Sequence, residues 1–350
     1  MNFLNSESKK NHSNGMNFNQ LTDKEKVAYI EIVSQKTQLE PIMVEKDVWV
    51  TAVLRALFEL PYAENISFKG GTSLSKCWDI IQRFSEDVDI AINREYFGFQ
   101  GETFTIREIS KKLRKACCKF CRDTLQYDLA KQMIADGILE NLFSVSMNIT
   151  DITTIDPEKI FIEYKSVFGK SAYIKNVVVL EINGRSMKEP LEKVAIQSFI
   201  DKVFAEKAFA EKSFEINVVA PERTFLEKVC LLHEEFAKQD QEKIRVNRMS
   251  RHLYDIARML DTPIAEKALN NNELYKSIIA HRRMFQAIKD FDYDTLLPAT
   301  ISIIPPKSVI AKWADDYSKM QTMIYGESPL FETMIDKIKQ LNMRINRIVL

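Results

Sequence analysis

The chain has 350 residues, and its 49 Lys and Arg balance 49 Asp and Glu to a formal net charge of zero. That balance excludes a global basic field, so any contact with nucleic acid has to come from a local patch. At 45% hydrophobic and 28% charged, with only 9 Gly and 10 Pro, the composition excludes a low-complexity or repeat chain and leaves an ordinary globular protein with core enough for two lobes. No apolar run of about 18 residues offers a membrane span, and the N-terminus carries no signal-peptide pattern, so a cytoplasmic protein is expected. The five cysteines are odd in number and lack paired spacing, which argues against a disulfide framework.

Residues 1–20 are polar and read as a lead-in. Thr22 then caps a helix whose first turn holds Asp23 and Glu25. Pro41 suits the first turn of a longer helix over 42–60, where Trp49, Val50, Val53, Leu54, Leu57 and Phe58 form one apolar stripe. Glu45, Lys46 and Asp47, near its start, read mostly as solvated charges, with Lys46 a candidate to reach a phosphate.

A short strand over 66–68 runs into Gly70-Gly71, a turn where the backbone takes positive φ and approaches a ligand closely. Thr72 or Ser73 caps a helix in which Leu74, Cys77, Trp78 and Ile81 recur at helical spacing. A second strand starts near Asp87, with Val88, Ile90 and Ile92 on one face and Asp87 and Asp89 on the other. A helix N-terminus behind a glycine turn offers unpaired N–H groups to phosphate. Two carboxylates on one strand face repel each other unless a hard cation such as Mg²⁺ sits between them. A phosphate cradle facing that pair is a site for metal-assisted phosphoryl or nucleotidyl transfer.

At these residues the chain resembles a known family. Gly70-Gly71-Thr72-Ser73 followed by Asp87-x-Asp89 is similar to the signature of polymerase-β-type nucleotidyltransferases. The longer string from Lys69 to Lys76, with Arg83-Phe84-Ser85-Glu86-Asp87-Val88-Asp89-Ile90, resembles more narrowly the AbiEii/AbiGii toxins of type IV toxin–antitoxin systems. Val44-Glu45-Lys46-Asp47-Val48-Trp49-Val50 is similar to that family's leading helix.

Downstream, a helix over 106–124 is basic, with Arg107, Lys111, Lys112, Arg114, Lys115, Lys119 and Arg122. It is either a solvated face or a guide for an RNA backbone. Cys117, Cys118 and Cys121 within it read as buried thiols, since no second Cys/His pair follows at zinc-finger spacing. Segments 142–149 and 159–167 alternate like antiparallel strands, and 176–182 is a near-continuous apolar strand ending in Glu181. The resemblance implies a third carboxylate from a later strand. Glu181 fits, followed by Gly184-Arg185-Ser186 and Glu189-Pro190, and Glu163 is its rival.

From Pro221 the pattern is helical. Phe225, Val229 and Leu232 make a core stripe around Lys228, which matches the family's functional lysine, and an ammonium there neutralises nucleotide phosphates. Some members carry an arginine seven residues on, where this chain has Glu235; the neighbouring His233 reads as a packing residue. Leu253-Tyr254-Asp255-Ile256 matches the third motif. Asp255 is expected in the catalytic set, or as the partner that fixes the reach of Lys228, while His252 stands where the family often has aspartate. Near the end, Asp316-Tyr317 lies in a string similar to the family's tail, as a nucleotide or partner contact or as helix packing.

The resemblance implies an α/β (α+β) fold: a polymerase-β-type core with a small mixed sheet over 21–219 and a mainly helical domain over 220–350. It implies transfer of a nucleotidyl group from an NTP to RNA, at the end of a tRNA, with growth arrest or phage defence as the output and a cognate antitoxin as restraint. Asp87, Asp89 and Glu181 would bind Mg²⁺ or Mn²⁺. Lys69, Gly70, Gly71, Thr72 and Ser73 would cradle the phosphates, and Lys228 would offset their charge. The alternatives are an enzyme acting on a protein or small-molecule hydroxyl, and an inactive nucleotide-binding scaffold.

Overall fold

The structure, a computed structural model, describes residues 17–85, 87–101, 104–105, 107–148, 158–169, 174–186, 190–286 and 288–350. Most of the polar lead-in, Glu86, the first residue of the basic helix and Glu189 lie outside the described residues. Strands β1 (Ile66–Lys69), β2 (Asp87–Asn93), β3 (Phe143–Met147), β4 (Glu158–Tyr164), β5 (Val177–Ser186), β6 (Leu191–Ile196) and β7 (Phe214–Val219) form one 7-stranded sheet in the order β3-β4-β5-β2-β1-β7-β6. The sheet is mixed: β2 runs parallel to β5 and antiparallel to β1, which in turn is parallel to β7. The helices are α1 (Asp23–Thr37), α2 (Pro41–Glu59), α3 (Gly70–Lys76), α4 (Arg114–Phe120), α5 (Gln126–Ala135), α6 (Phe199–Val203), α7 (Pro221–Phe236), α8 (Ser250–Met259), α9 (Pro263–Leu269), α10 (Asn272–Phe285), α11 (Ile310–Met320) and α12 (Phe331–Ile345). Among the described residues no helix is long and apolar enough to cross a membrane.

The period-2 pattern of the strands gives the sheet two unlike faces. Ile66, Phe68, Val88, Ile90, Ile92, Ile160, Ile162, Val178, Leu180 and Ile182 share one face and pack against Trp49, Val53 and Leu57 of α2 and against Cys117, Cys121, Leu125 and Leu129 of the α4–α5 rod. The carboxylates of β2 point from the other face. A second core joins α7 to α12, and Leu74, Ile80 and Ile81 from around α3 belong to it. The chain passes from strand to helix between Val219 and Pro221.

Three expectations change. The basic helix runs on to Ala135 as one rod, with π-helical turns at Glu108–Leu113 and Cys121–Leu125. Strands β6 and β7 are additional: Glu192 and Lys193 break the alternation of β6, an edge strand, whereas β7 does alternate, with Phe214, Ile216 and Val218 on one face. Glu45, Lys46 and Asp47 are buried rather than solvated. Glu45 accepts from the backbone of Val167 at 2.8 Å and from the Ser166 hydroxyl, and Lys46 donates to the carbonyl of Lys175 at 3.1 Å. Asp47 accepts from Lys76 at 2.5 Å and from the Phe199 amide at 2.8 Å, tying α2 to α3 and α6. A buried helix start carries charge only when every charge has a partner.

Asp47→Ala leaves the Lys76 ammonium buried without its carboxylate, and loss of about 3 kcal/mol of stability is expected. The exposed pair Lys319–Asp315 has a similar separation of 2.6 Å. Asp315→Ala should change stability by less than about 0.5 kcal/mol. Denaturant midpoints of the two variants check this contrast, and equal midpoints would refute the structural role of Asp47.

Candidate active site

Three adjacent strands bring the charged residues into one row. Antiparallel pairing sets Lys69 of β1 opposite Asp89 of β2, and parallel pairing sets Asp89 beside Glu181 of β5. Glu181 is in turn opposite Lys159 of β4, whose ammonium lies 2.5 Å from its carboxylate. The row therefore reads cation, anion, anion, cation, with the two carboxylates in the middle. Asp87 stands two residues before Asp89 on the same face. Glu163 pairs with Val177, four residues before Glu181 and a strand further from β2, so the register favours Glu181 over its rival.

The two glycines are explained by what they touch. Gly70 has φ of +78°, and a Cβ on it would sit 2.0 Å from Oδ2 of Asp89. The turn thus needs both the left-handed backbone and the missing side chain to lie against the carboxylate. A Cβ on Gly71 would sit 2.6 Å from Nη2 of Arg83. Behind the turn, the hydroxyl of Ser73 donates to the carbonyl of Gly70 at 2.9 Å, and that of Thr72 donates to the carbonyl of Asp87. Ser73 is fully buried and Thr72 nearly so, while both glycines are half-buried. The hydroxyls brace the loop, which leaves the glycine backbone as the surface offered to a ligand.

Helices α7 and α8 supply the cations. Lys228 lies 2.9 Å from Oδ2 of Asp255 and 3.4 Å from Nδ1 of His252. Asp255 is fully buried, and Arg83 grips it with bonds of 2.7 and 2.8 Å to its two oxygens. Burial works to raise the Asp255 pKa, but Arg83 and Lys228 more than offset it and hold the carboxylate well below its usual range. Asp255 therefore has both oxygens taken, by Arg83 and by the Lys228 that the sequence offered as its partner. Burial lowers the pKa of Lys228, against the pull of Asp255.

The sequence reading gives Arg83 no role, yet it holds the Asp255 carboxylate. It lies inside the motif string, and the signal for it was Gly71, whose absent side chain makes room for the guanidinium. Lys69 contacts Glu227 at 3.7 Å. Glu235 is buried between Lys238 and Arg245, so position 235 supplies no positive charge to this site. His233 packs, accepting from the Ser302 amide at 2.9 Å and meeting the Thr295 hydroxyl at 2.9 Å. Asp316 accepts from the amides of Arg248 and Ser250 at 2.6 and 2.9 Å and so caps α8, while Tyr317 donates to the Pro329 carbonyl at 2.7 Å. Both serve helix packing.

A hard divalent cation fits the donor set. Asp89 is pushed up to about 6, first by burial and then by Glu181 and Asp87, with Lys69 and Lys228 opposing. A carboxyl raised in this way by its neighbours is relieved by a cation beside it. Among the described residues no three His, Cys, Asp or Glu side chains already converge as a ligand cluster, because Glu181 is drawn to Lys159. Asp87 and Asp89 would be the primary ligands.

A family model described as nucleotidyl transferase AbiEii toxin, type IV toxin–antitoxin system, matches residues 52–337. Among solved structures the chain is similar to MenT4, a nucleotidyltransferase toxin from Mycobacterium tuberculosis H37Rv, at 15% identity and a TM-score of 0.48. That likeness covers 94% of this chain and 91% of MenT4. No curated protein sequence matches.

Two predictions follow the geometry. Gly70→Ala should cost about 1–3 kcal/mol of stability and abolish nucleotidyl transfer, because its Cβ collides with Asp89 in a disfavoured φ region. Thermal melting and a transfer assay check both losses. The second concerns pH. An unfolded aspartate ionises near 3.9, so with Asp89 at about 6 the folded protein holds the extra proton between about pH 4 and 6. Stability contributed by this group therefore falls as pH rises through that window and stays lower above it. In EDTA, the melting temperature of Asp89→Asn relative to wild type should rise from pH 4 to pH 6.5, by the equivalent of about 2 kcal/mol. Mg²⁺ at pH 7 should stabilise wild type and not the variant. A wild type-to-variant difference that is flat with pH would mean that Asp89 ionises normally.

Proposed function

Because the chain belongs to the AbiEii nucleotidyltransferase toxin family of type IV toxin–antitoxin systems, we propose that it transfers a nucleotidyl group from an NTP to a hydroxyl at the 3′ end of a tRNA. The acceptor oxygen attacks the α-phosphorus, the bond to the bridging oxygen breaks, and pyrophosphate leaves. The observation that carries this reading is the row in which Asp89 and Glu181 lie side by side against the Gly70 turn. The Gly70-Gly71 backbone binds the phosphates, with Lys69 at the edge of the row. Lys228, held at Asp255, offsets charge on the β- and γ-phosphates. Asp87 and Asp89 would hold Mg²⁺ or Mn²⁺, which when bound neutralises charge on the transferring phosphate. Glu181 either completes that set or takes the acceptor's proton, and both roles require it to release Lys159.

The acceptor side rests on the exposed basic row Lys111, Lys115 and Lys119, on the helix that covers the opposite face of the sheet. An extended polynucleotide has the length to reach both faces. The proposed setting is the cytoplasm, where the modification arrests growth or limits phage. Membership in a type IV system implies a cognate antitoxin.

The test is to incubate the pure protein with each radiolabelled NTP, Mg²⁺ and total RNA, and to identify the labelled acceptor. Asp87→Ala and Asp89→Ala should abolish labelling while melting at the same or a higher temperature, since a repelling pair is relieved. Lys228→Ala should weaken NTP use by about 1.5–3 kcal/mol. Changing Lys111, Lys115 and Lys119 together to Glu should cut RNA labelling and leave NTP binding intact. Full activity in either aspartate variant would overturn the site. Labelling of protein or a small molecule in place of RNA would overturn the acceptor.

A further inference from the structure

Around Asp255 the described residues gather three cations, of which two bind its carboxylate directly. Arg83 and Lys228 both bind the one buried carboxylate. Arg251 stands one turn before Asp255 on α8, and residues four apart share a helix face. Its Nε is buried with no hydrogen-bond partner, and no carboxylate among the described residues forms an ion pair with it. Burial, then the charges of Arg83 and Arg248, pull its pKa down, with Asp87 and Asp255 opposing. His252 adds no compensating negative charge. Burial, followed by Lys228 and Arg251, pushes it well below its usual pKa and keeps it neutral. Arg83, Lys228 and Arg251 thus gather around one fully buried carboxylate, with Asp87 as a further anion acting on Arg251, beside the turn where the Arg83 guanidinium fills the space left by Gly71.

We propose that Arg251 binds the β- and γ-phosphates of the NTP, and the pyrophosphate that leaves. This rests on the reading that an NTP is the substrate. A partly buried guanidinium without a counter-ion is costly, and an anion is its natural partner. Cations from three separate elements gathered at one place match a multivalent phosphate tail better than one RNA phosphodiester. The cluster also adjoins the Gly71 turn and Asp87, where the phosphates belong in that reading.

The placement of Arg251 is fixed from behind. Asp316 of α11 accepts from the Arg248 amide, the Ser250 amide and the Ser250 hydroxyl at 2.6, 2.9 and 2.6 Å. This holds Arg248 at φ of +60°, a strained value for a non-glycine residue, and sets the first turn of α8, to which Arg251 belongs. A side chain held on so firmly anchored a turn is ready to bind without reorganising.

The experiment compares wild type, Arg251→Gln and Arg251→Lys by calorimetric titration with inorganic pyrophosphate, inorganic tripolyphosphate, each NTP and the corresponding nucleoside, with and without Mg²⁺. In Arg251→Gln the Kd for pyrophosphate, tripolyphosphate and NTP should rise at least tenfold. Nucleoside binding should not change, and the melting temperature without ligand should stay equal or rise as like charges part. Arg251→Lys should recover part of the affinity. Unchanged pyrophosphate and NTP affinity in Arg251→Gln, with wild type binding NTP, overturns the inference and leaves the nucleotidyltransferase reading standing. Loss of RNA affinity with pyrophosphate affinity kept overturns it as well, by assigning Arg251 to the acceptor. Failure of wild type to bind any NTP overturns both.

Discussion

The contact on which the site depends is the buried carboxylate of Asp255, shared between Arg83 and Lys228. Its three members come from three places: the segment before β2, helix α7 and helix α8. Arg83 is also clamped from the C-terminal side, where the Phe84 amide donates to the Met323 carbonyl and the Tyr325 amide to the Gln82 carbonyl. The sheet half and the helical half therefore meet at the residues that flank the glycine turn. Removing either cation would leave Asp255 underpaired in a dry environment, which is why buried networks of this kind tolerate so little change.

Around that anchor the sheet works as a ruler. Strand pairing, not side-chain flexibility, determines that Lys69, Asp89, Glu181 and Lys159 stand in line. A shift of one residue in β2 would turn Asp87 and Asp89 into the apolar layer with α2 and bring Val88 and Ile90 out. The apolar face resists such a slip, since Val88 and Ile90 are buried against the α2 and α4–α5 layer. Hydrophobic burial thus holds the register of the charged face, and Gly70 lets the turn close down on the carboxylate so presented.

The sequence carried the parts of this site that are local. The strand before Gly70, the alternation of Asp87 and Asp89 with Val88 and Ile90, and the capping of α1 by Thr22 all depend on near neighbours, and the structure has each. The helix differs, since it starts at Gly70 itself and stops at Lys76, so Thr72 and Ser73 lie inside it rather than capping it, and Trp78 and Ile81 follow it. What it hid depends on distant contacts. Asp47 looked like a solvated helix-start charge until Lys76 and Phe199 folded against it. Arg83 lay in plain view, but its partner is 172 residues away. Glu181 and Glu163 were separable only through register, which a single sequence does not contain.

In the proposed reading, stability is given up locally for binding. Asp89 is held at a pKa of about 6 among carboxylates, and Arg251 lies among cations with its Nε unpartnered. Each cluster is unfavourable by itself, and the two adjoin across the loop between Gly71 and Asp87. Direct pairing between them would relieve both and leave nothing for a ligand to satisfy. Asp255 prevents this by holding Arg83 and Lys228 back on the helical side, while Gly70 keeps Asp89 against the turn. The separation of charge is maintained by the fold. A metal bound to a polyphosphate carries both signs in the matching order, positive toward the carboxylates and negative toward the cations, so it relieves both clusters at once. Metal and nucleotide should therefore bind cooperatively, each weak alone, because either one by itself leaves the other cluster uncompensated.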